Sequence, residues 1–251
     1  MTRPRLPSAI GACLFDLDGV LTRTADLHAA AWKEVFDGIL LRARRTGAGD
    51  SARPFDRDAD YARFVDGRPR RDGVRTFLAS RGIALPEGTP ADPPTAETVE
   101  GVARRKRELV ERLMVRDGVA VNPGSRRFLA AARGAGLARA VVSASENARA
   151  VLAAAGLAGE LPEVVDGVVA RELGLAGKPA PDMFLEAARR LGVPAVRAAV
   201  FEDAIAGVAA GRAGGFGLVV GVDRGARADA LREAGADVVV SDLADLLEER
   251  R

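Results

Sequence analysis

Two aspartates follow an apolar segment near the start of the chain, in the stretch Leu-Phe-Asp-Leu-Asp-Gly-Val-Leu-Thr at residues 14–22. The apolar run Ile10–Phe15 predicts a buried strand that delivers Asp16 and Asp18 at its carboxyl end, and Gly19 suits the sharp turn that follows. Parallel sheets carry their chemistry at the carboxyl ends of strands. One of these carboxylates can therefore act as a nucleophile or Mg²⁺ ligand and the other as a proton carrier. A plain Asx turn at the end of a strand is the alternative.

A hydroxyl-rich loop and a lysine stand at two further predicted strand ends. Ser143 follows Ala140–Val142, and Ser145 and Asn147 open the next helix. Hydroxyls and backbone N–H groups at a helix N-terminus predict a phosphate site, with simple N-capping as the alternative. Lys178 lies between a glycine and a proline just before a helix. It can neutralise a phosphate or a carboxylate, or it can be an ordinary solvated lysine.

An adjacent pair of carboxylates, Glu202 and Asp203, closes the apolar run Ala199–Phe201. Two such groups repel each other at the end of a buried strand unless a cation lies near them. With Asp16 they supply the oxygen ligands that Mg²⁺ prefers. The alternative for Asp203 is ordinary N-capping of the next helix.

The elements that must position these residues alternate between strand and helix from residue 119 onward, which is typical of βαβ units and a parallel sheet. Between residues 24 and 118 the pattern is helical, so this segment is predicted to be an all-helical insertion. The expected architecture is α/β, with a parallel-sheet core (residues 1–23 and 119–251) and a helical cap domain (24–118). The predicted strands are 10–15, 138–143, 164–169, 198–202, 217–222 and 237–241. The predicted helices are 29–41, 72–80, 96–115, 125–135, 147–155, 180–191, 204–213 and 226–234, and residues 50–60 and 86–94 are predicted to be loops.

Composition excludes several classes of protein. The 251 residues are 48% hydrophobic and 29% charged, which is ordinary for a globular protein. The net charge of +2 comes from scattered arginines, so no nucleic acid partner is expected. No apolar stretch approaches membrane-span length, and no signal-peptide pattern is present, so no membrane association is expected. The single Cys13 favours a reducing, cytoplasmic setting, and we expect a monomer.

Taken in order along the chain, Asp-x-Asp-Gly-Val-Leu-Thr, a serine, Gly-Lys-Pro and Glu-Asp resemble the four motifs of the haloacid dehalogenase superfamily. The resemblance covers nearly the whole chain and implies a Rossmann-like core, Mg²⁺ dependence and an aspartyl-phosphate intermediate. It implies that Asp16 is the nucleophile and Asp18 the general acid–base. Ser143 and Lys178 would hold the transferring phosphoryl group. The implied metal ligands are Asp16, the backbone carbonyl of Asp18, and Glu202 or Asp203, with that choice left open.

The cap segment narrows the resemblance to the β-phosphoglucomutases. Residues 24–33, with the only histidine, His28, resemble the segment of those enzymes that leads from the hinge into the first cap helix. Residues 66–73 resemble the loop whose arginine binds the distal phosphate of the substrate. Spacing favours Arg70 for that role, and Arg68 or Arg71 remain alternatives. Lys106 resembles a second contact, and the further implied substrate contacts are Thr22, Ser145 and Asn147.

Several of these cap residues also have structural interpretations, and three features depart from the family pattern. His28 could be a core residue, Trp32 is expected to pack within the cap, and Lys106 could lie on a solvated helix face. Arg23 replaces the usual hinge aspartate. Glu146 stands where some members carry a phosphate-binding lysine, so its charge would repel a substrate. The segment 40–60 is longer than usual.

The function that the resemblance implies is that of a sugar phosphomutase. It would interconvert β-glucose 1-phosphate and glucose 6-phosphate through β-glucose 1,6-bisphosphate. The first alternative is a phosphatase that hydrolyses a small sugar phosphate, because the same core would serve if the cap admits water. The second is a non-catalytic module that binds a sugar phosphate or a partner enzyme.

Overall fold

A computed structural model describes residues 2–45, 53–225 and 227–249 of the chain. Parts of the predicted loop at 50–60, of the long segment 40–60 and of the predicted helix at 226–234 lie outside these residues. The chain divides into two compact units, one formed by Met1–Arg23 with Val119–Arg251 and the other by Thr24–Gly118. We refer to them as the sheet unit and the helical unit. Among the described residues, no helix combines the length and the hydropathy that a membrane span requires.

A six-stranded parallel sheet forms the centre of the sheet unit, in the order β4-β3-β2-β5-β6-β7. Strand β2 lies between β3 and β5, and Phe15 stands level with Val141 and Phe201. The carboxyl ends of the three strands are therefore level with one another. A separate antiparallel pair, β1 with β8, joins the two ends of the chain. The strands are β1 (Thr2–Pro4), β2 (Ala12–Phe15), β3 (Ala138–Val142), β4 (Glu163–Val165), β5 (Ala198–Glu202), β6 (Leu218–Val222), β7 (Val238–Val240) and β8 (Leu247–Glu249).

Three α-helices form the helical unit, and a short π-helical turn, Tyr61–Val65, precedes the second of them. The core of the helical unit is aromatic. Phe36 packs against Trp32, Phe55 and Phe77, with ring centroids between 4.1 and 5.3 Å apart. The helical prediction for this segment therefore agrees with the structure. The loop predicted at 50–60 is wrong at its end, because residues 59 and 60 are already helical and lead into the π-helical turn. The helices are α1 (Ala25–Arg45), α2 (Arg70–Ser80) and α3 (Val99–Asp117).

The helices of the sheet unit pack against its strands, and one of them is absent from the sequence prediction. The predicted strand at 164–169 is wrong in its second half, because the chain leaves β4 after Val165 and starts a helix at Gly167. Asp166 caps this helix, since its carboxylate accepts hydrogen bonds from the N–H groups of Val168 and Val169. These helices are α4 (Pro123–Gly134), α5 (Ala148–Ala154), α6 (Gly167–Leu173), α7 (Asp182–Arg190), α8 (Ile205–Ala213) and α9 (Ala228–Glu233).

Aromatic side chains fill the space behind the ends of β2 and β5. Phe15 stacks on Phe201 with 4.7 Å between ring centroids, and Phe128 of α4 contacts both rings at 6.0 and 5.2 Å. All three are fully buried. Because close-packed interiors resist displacement, this cluster gives the residues that follow Phe15 and Phe201 a rigid support.

Candidate active site

A buried ammonium group joins two of the strand-end carboxylates. Lys178 Nζ donates to Asp16 Oδ1 at 2.6 Å and to Glu202 Oε1 at 2.5 Å, and to the Val142 carbonyl at 3.2 Å. The three ionisable side chains are almost completely inaccessible to solvent. Lys178 is thus not a solvated surface lysine. It connects the ends of β2, β3 and β5.

The carboxylate of Glu202 is held through both of its oxygens. Oε1 accepts from Lys178, and Oε2 accepts from the Ala204 N–H at 2.9 Å. Helix α8 leaves room for this side chain at Gly207, because a Cβ there would overlap the Glu202 carboxylate. Ala204 is the N-cap residue of α8, with no side-chain cap bond, so the N-capping alternative for Asp203 is wrong.

Charge and burial act in opposite directions at this site. Burial raises the pKa of Asp16 well above its usual range, the Lys178 ammonium opposes this effect, and the carboxylates of Glu202 and Asp18 add to it. For Lys178, burial would lower the pKa, but Asp16 and Glu202 together hold it above the ordinary value. The lysine therefore stays protonated, and the buried carboxylates outnumber it.

The donor set also fits a divalent cation. Asp16, Glu202 and Asp203 are buried, and each offers a carboxylate oxygen within 4.8 Å of the others. Oxygen-only donor sets suit Mg²⁺ rather than softer metals. A cation here would offset the excess negative charge that one lysine leaves.

The turn that follows Asp16 carries Asp18 and is closely packed. Gly19 has φ +88°, and a Cβ at this position would overlap the Asp203 carboxylate. Its N–H donates to the Thr22 carbonyl at 2.8 Å, and the Thr22 hydroxyl donates to the Leu17 carbonyl at 3.1 Å. The turn therefore holds Asp18 on a backbone conformation that strongly favours glycine at position 19.

Two side chains near the start of α4 support the same turn. Asn122 Nδ2 donates to the carbonyls of Gly19 and Val20 at 3.1 and 2.9 Å, and the Ser125 hydroxyl donates to Val20 at 2.7 Å. The oxygen of the Asn122 amide accepts from Arg23 Nε at 3.2 Å. The arginine that departs from the family pattern thus binds a residue that holds the Gly19 turn.

The loop from Ser143 to Asn147 follows β3 and folds on itself. Ser143 Oγ accepts from the Ser145 N–H, and Ser145 Oγ accepts from the Asn147 N–H, both at 3.2 Å. Asn147 stands at the N-cap position of α5 but makes no side-chain cap bond, so its N-capping alternative is wrong. Glu146 is paired with Arg171 of α6. Its charge is therefore partly compensated, contrary to the expectation of simple repulsion.

A second cluster of interacting side chains lies within the helical unit. Lys106 of α3 is buried, and its Nζ lies 2.9 Å from His28 Nδ1 and 5.0 Å from the Trp32 ring centroid. The solvated-face alternative for Lys106 is thus wrong, and Trp32 packs as expected. Since the ammonium is the donor, Nδ1 of His28 accepts.

The loop predicted to hold the phosphate-binding arginine leads directly into α2. Arg70 is the first residue of that helix. The guanidinium of Arg71 is paired with Glu100 of α3, so it already has a carboxylate partner. Arg68 lies one residue past Gly67, in the turn before the helix.

The structure thus brings together Asp16, Lys178, Glu202 and Asp203 in the sheet unit, and His28 with Lys106 in the helical unit. Sequence reasoning missed the residues that hold the Gly19 turn and the Ser143 loop. Among them only Asp166 has a visible local signal, as an aspartate directly before a helix. The missed residues are Asn122, Ser125, Asp166, Arg171 and Arg224.

Comparison with known proteins agrees with this fold. The model of the haloacid dehalogenase-like hydrolase family matches residues 10–215. The chain belongs to this family, and within it to the β-phosphoglucomutase-like phosphotransferases.

Two curated relatives and one solved structure show how close the similarity is. A protein of Mycobacterium tuberculosis named β-phosphoglucomutase is 56% identical over 246 residues, which cover 96% of this chain and 93% of that protein. The β-phosphoglucomutase of Bacillus subtilis is 31% identical, covering 94% and 91%. The crystal structure of β-phosphoglucomutase from Clostridium difficile superposes with a TM-score of 0.71 at 25% identity, covering 94% and 93%. These similarities indicate an enzyme rather than a non-catalytic binding module.

Proposed function

We propose that this enzyme is a sugar phosphomutase that interconverts β-glucose 1-phosphate and glucose 6-phosphate. The observation that carries the proposal is the buried Lys178 ammonium between Asp16 and Glu202. A carboxylate that attacks a phosphate monoester meets an anion, and a fixed ammonium beside it reduces that repulsion. The choice of sugar is supported by the names of the relatives that are 56% and 31% identical.

In the first half-reaction Asp16 and Asp18 have separate roles. A carboxylate oxygen of Asp16 forms a bond to phosphorus while the bond from phosphorus to the sugar oxygen breaks. The Asp18 carboxyl gives its proton to the leaving sugar oxygen, and an aspartyl-phosphate remains. Lys178 and Ser143 hold the transferring phosphoryl group.

The second half-reaction reverses these roles on the other end of the sugar. The Asp18 carboxylate takes the proton of the sugar hydroxyl that attacks phosphorus, and the bond from phosphorus to Asp16 breaks. A phosphorylated enzyme that meets β-glucose 1-phosphate thus forms β-glucose 1,6-bisphosphate. After reorientation, the same bisphosphate returns its other phosphoryl group to Asp16 and leaves glucose 6-phosphate.

We propose that Mg²⁺ binds to Asp16, Asp203 and the backbone carbonyl of Asp18, and that it neutralises charge on the phosphoryl oxygens. In this assignment Glu202, both of whose oxygens accept hydrogen bonds from Lys178 and Ala204, is not a direct ligand. Glu202 then serves to hold Lys178 in place.

Binding of the remaining phosphate is assigned to the helical unit. We propose that Arg70 and Lys106 bind the phosphate that is not being transferred, and that His28 orients Lys106. Thr22, Ser145 and Asn147 complete the substrate contacts. Arg70 is favoured over Arg68 and Arg71 by its spacing from Gly67.

The test follows β-glucose 1-phosphate and Mg²⁺, with and without a trace of glucose 1,6-bisphosphate. Glucose 6-phosphate and free phosphate are measured in parallel. Formation of glucose 6-phosphate that depends on the bisphosphate, with little free phosphate, supports the mutase. Free phosphate without isomerisation would instead identify a phosphatase. The Asp16→Asn variant is the control, and α-glucose 1-phosphate tests the anomer.

A further inference from the structure

The loop after β6 reaches the turn that carries Asp18. Residues 223–225 and 227 follow the strand next to β5, so this loop lies at the same edge of the sheet as Glu202 and Asp203. Asp223 stiffens the loop, because its Oδ1 accepts from the N–H groups of Gly225 and Arg227 at 3.0 and 2.9 Å. These two hydrogen bonds hold the backbone of Gly225 and Arg227 close to Asp223.

Arg224 connects this loop to the Gly19 turn. Its Nε donates to the Gly19 carbonyl at 2.8 Å, and its guanidinium is partly buried. The opposite side of the guanidinium donates to the Ser241 carbonyl at 3.0 Å and lies 3.7 Å from Asp242. The side chain is thus held from both sides, and its donor is directed at the peptide that joins Gly19 to Val20.

The Gly19 peptide has little freedom to move between its neighbours. Its carbonyl accepts from Arg224 and from Asn122, and its Cα packs against the Asp203 carboxylate. A second arginine of the same loop, Arg227, donates to the Asp203 carbonyl at 3.3 Å. The loop after β6 therefore contacts the backbone of both Gly19 and Asp203, the two residues that pack together.

We propose that Arg224 is a positioning residue of the phosphotransfer site. By fixing the Gly19 carbonyl, it holds the turn that carries Asp18 and so sets the direction of the Asp18 carboxyl toward the sugar oxygen. The inference rests on the proposed function, because the role it gives to Asp18 is that of the acid–base group. Small displacements of a reacting group lower the rate of the chemical step without a matching loss of ground-state binding.

The test compares Arg224→Met, Arg224→Lys and a matched control. Arg232→Met is the control, because Arg232 is exposed on α9 and pairs only locally with Asp229, three residues earlier. We expect Arg224→Met to lower kcat roughly 10- to 100-fold with KM changed less than about threefold. Arg224→Lys, which keeps a cationic donor, is expected to recover part of kcat. The control is expected to match the wild type.

A measurement that does not depend on turnover accompanies the kinetics. Hydrogen exchange of the amides at residues 19–22 is expected to accelerate in Arg224→Met and not in Arg232→Met. An unchanged kcat, or unchanged exchange at these amides, would overturn the inference. Wild-type protein that isomerises no β-glucose 1-phosphate would count against the proposed function alone, because the exchange experiment still decides whether Arg224 holds the turn.

Discussion

At the scale of single residues, atoms of the site lie so close together that one added methyl group would displace them. Gly19 combines a left-handed φ of +88° with the Asp203 carboxylate packed against its Cα. The residue thus has two separate requirements, one conformational and one steric. Each requirement alone favours glycine. Only the steric requirement involves Asp203, the proposed ligand of the cation.

We therefore expect Gly19→Ala to lower kcat at least roughly 100-fold, because the new Cβ must push the Asp203 carboxylate or the Asp18 turn out of place. Gly136→Ala is the matched control, since Gly136 has φ +73° with no atom within 4 Å of the added Cβ. The control is expected to lose about 1 kcal/mol of unfolding free energy while keeping its activity. Steady-state kinetics and urea unfolding of both variants make the comparison. Equal kinetic effects would show that backbone strain alone matters.

The pairing of Glu146 with Arg171 gives a second residue-level prediction. Arg171→Gln leaves the Glu146 charge uncompensated in the loop that follows Ser143, so it should raise KM for the sugar phosphate roughly 3- to 10-fold. Adding Glu146→Gln to that variant should restore KM. Arg133→Gln is the control, because Arg133 forms a comparable exposed pair with Glu160, at 2.9 Å, within the same unit. An Arg171→Gln enzyme with unchanged KM and unchanged affinity for inorganic phosphate would contradict the argument.

At the scale of elements, sequence patterns predicted the strands better than the residues that fix their ends. The apolar run after Ala198 predicted β5 correctly, because a buried parallel strand consists almost entirely of apolar residues. Val168 and Val169 favour a strand at 164–169, since β-branched residues are common in strands, but Asp166 caps a helix there instead. Strands β1 and β8 are short and polar, and they pair across almost the whole chain. No local pattern could reveal them.

The residues of the candidate site also fall into two groups, those that the sequence predicts and those that it does not. Asp16, Ser143 and Glu202 could be predicted because each directly follows an apolar run, and parallel strands align their ends. The roles of Asn122 and Arg224 could not, because both are common loop residues whose partner, Gly19, is more than 100 positions away. Such contacts depend on the path of the loops, and no periodic pattern in the sequence predicts them.

Helix α7 offers a prediction about pH. Glu186 accepts from Arg189 and Arg190, and these hydrogen bonds lower the pKa of Glu186 from 4.5 to about 2. A carboxyl with a depressed native pKa stabilises the fold above the unfolded pKa, and this stabilisation is lost as pH falls toward the native value. At neutral pH, Glu186→Gln should therefore cost about 1 kcal/mol, a figure typical of solvent-screened pairs.

The difference between wild type and Glu186→Gln should shrink below pH 4.5 and vanish near pH 2. Urea unfolding of both proteins at neutral pH and at two acidic values checks this trend. Arg189→Gln, which removes the more exposed partner, should show a weaker pH dependence than the wild type. A difference that stays constant with pH would show that the cost of Glu186→Gln is not electrostatic.

At the scale of the whole molecule, each of the two compact units has its own hydrophobic core. In the sheet unit, residues of β2, β3, β5 and β6 pack with those of α7 and α8. The core of the helical unit is built from α1, α2 and α3, with Phe55 and Val65 from the connecting segment. A unit with its own core can unfold by itself.

The sequence provides one natural probe for each unit. Cys13 is the only cysteine and lies fully buried on β2, and burial raises the pKa of its thiol to about 12. The folded sheet unit should therefore protect it from thiol reagents, since the thiolate is the reactive form. Trp32 is the only tryptophan and lies in the core of the helical unit, stacked on Phe36. Its fluorescence should change when that core opens.

We expect the two probes to give different unfolding midpoints in urea, because no residue is shared between the two cores and each contributes its own unfolding free energy. Cys13 should react with a chromogenic disulfide only across the unfolding transition of the sheet unit. Phe77→Ala, which removes a buried ring from the helical core alone, should cost about 3 to 5 kcal/mol there and move the Trp32 midpoint much more than the Cys13 midpoint. Phe184→Ala is the reciprocal variant, because its ring belongs only to the core of the sheet unit. Coincident midpoints in the wild type and in both variants would contradict the prediction and make the molecule a single cooperative unit.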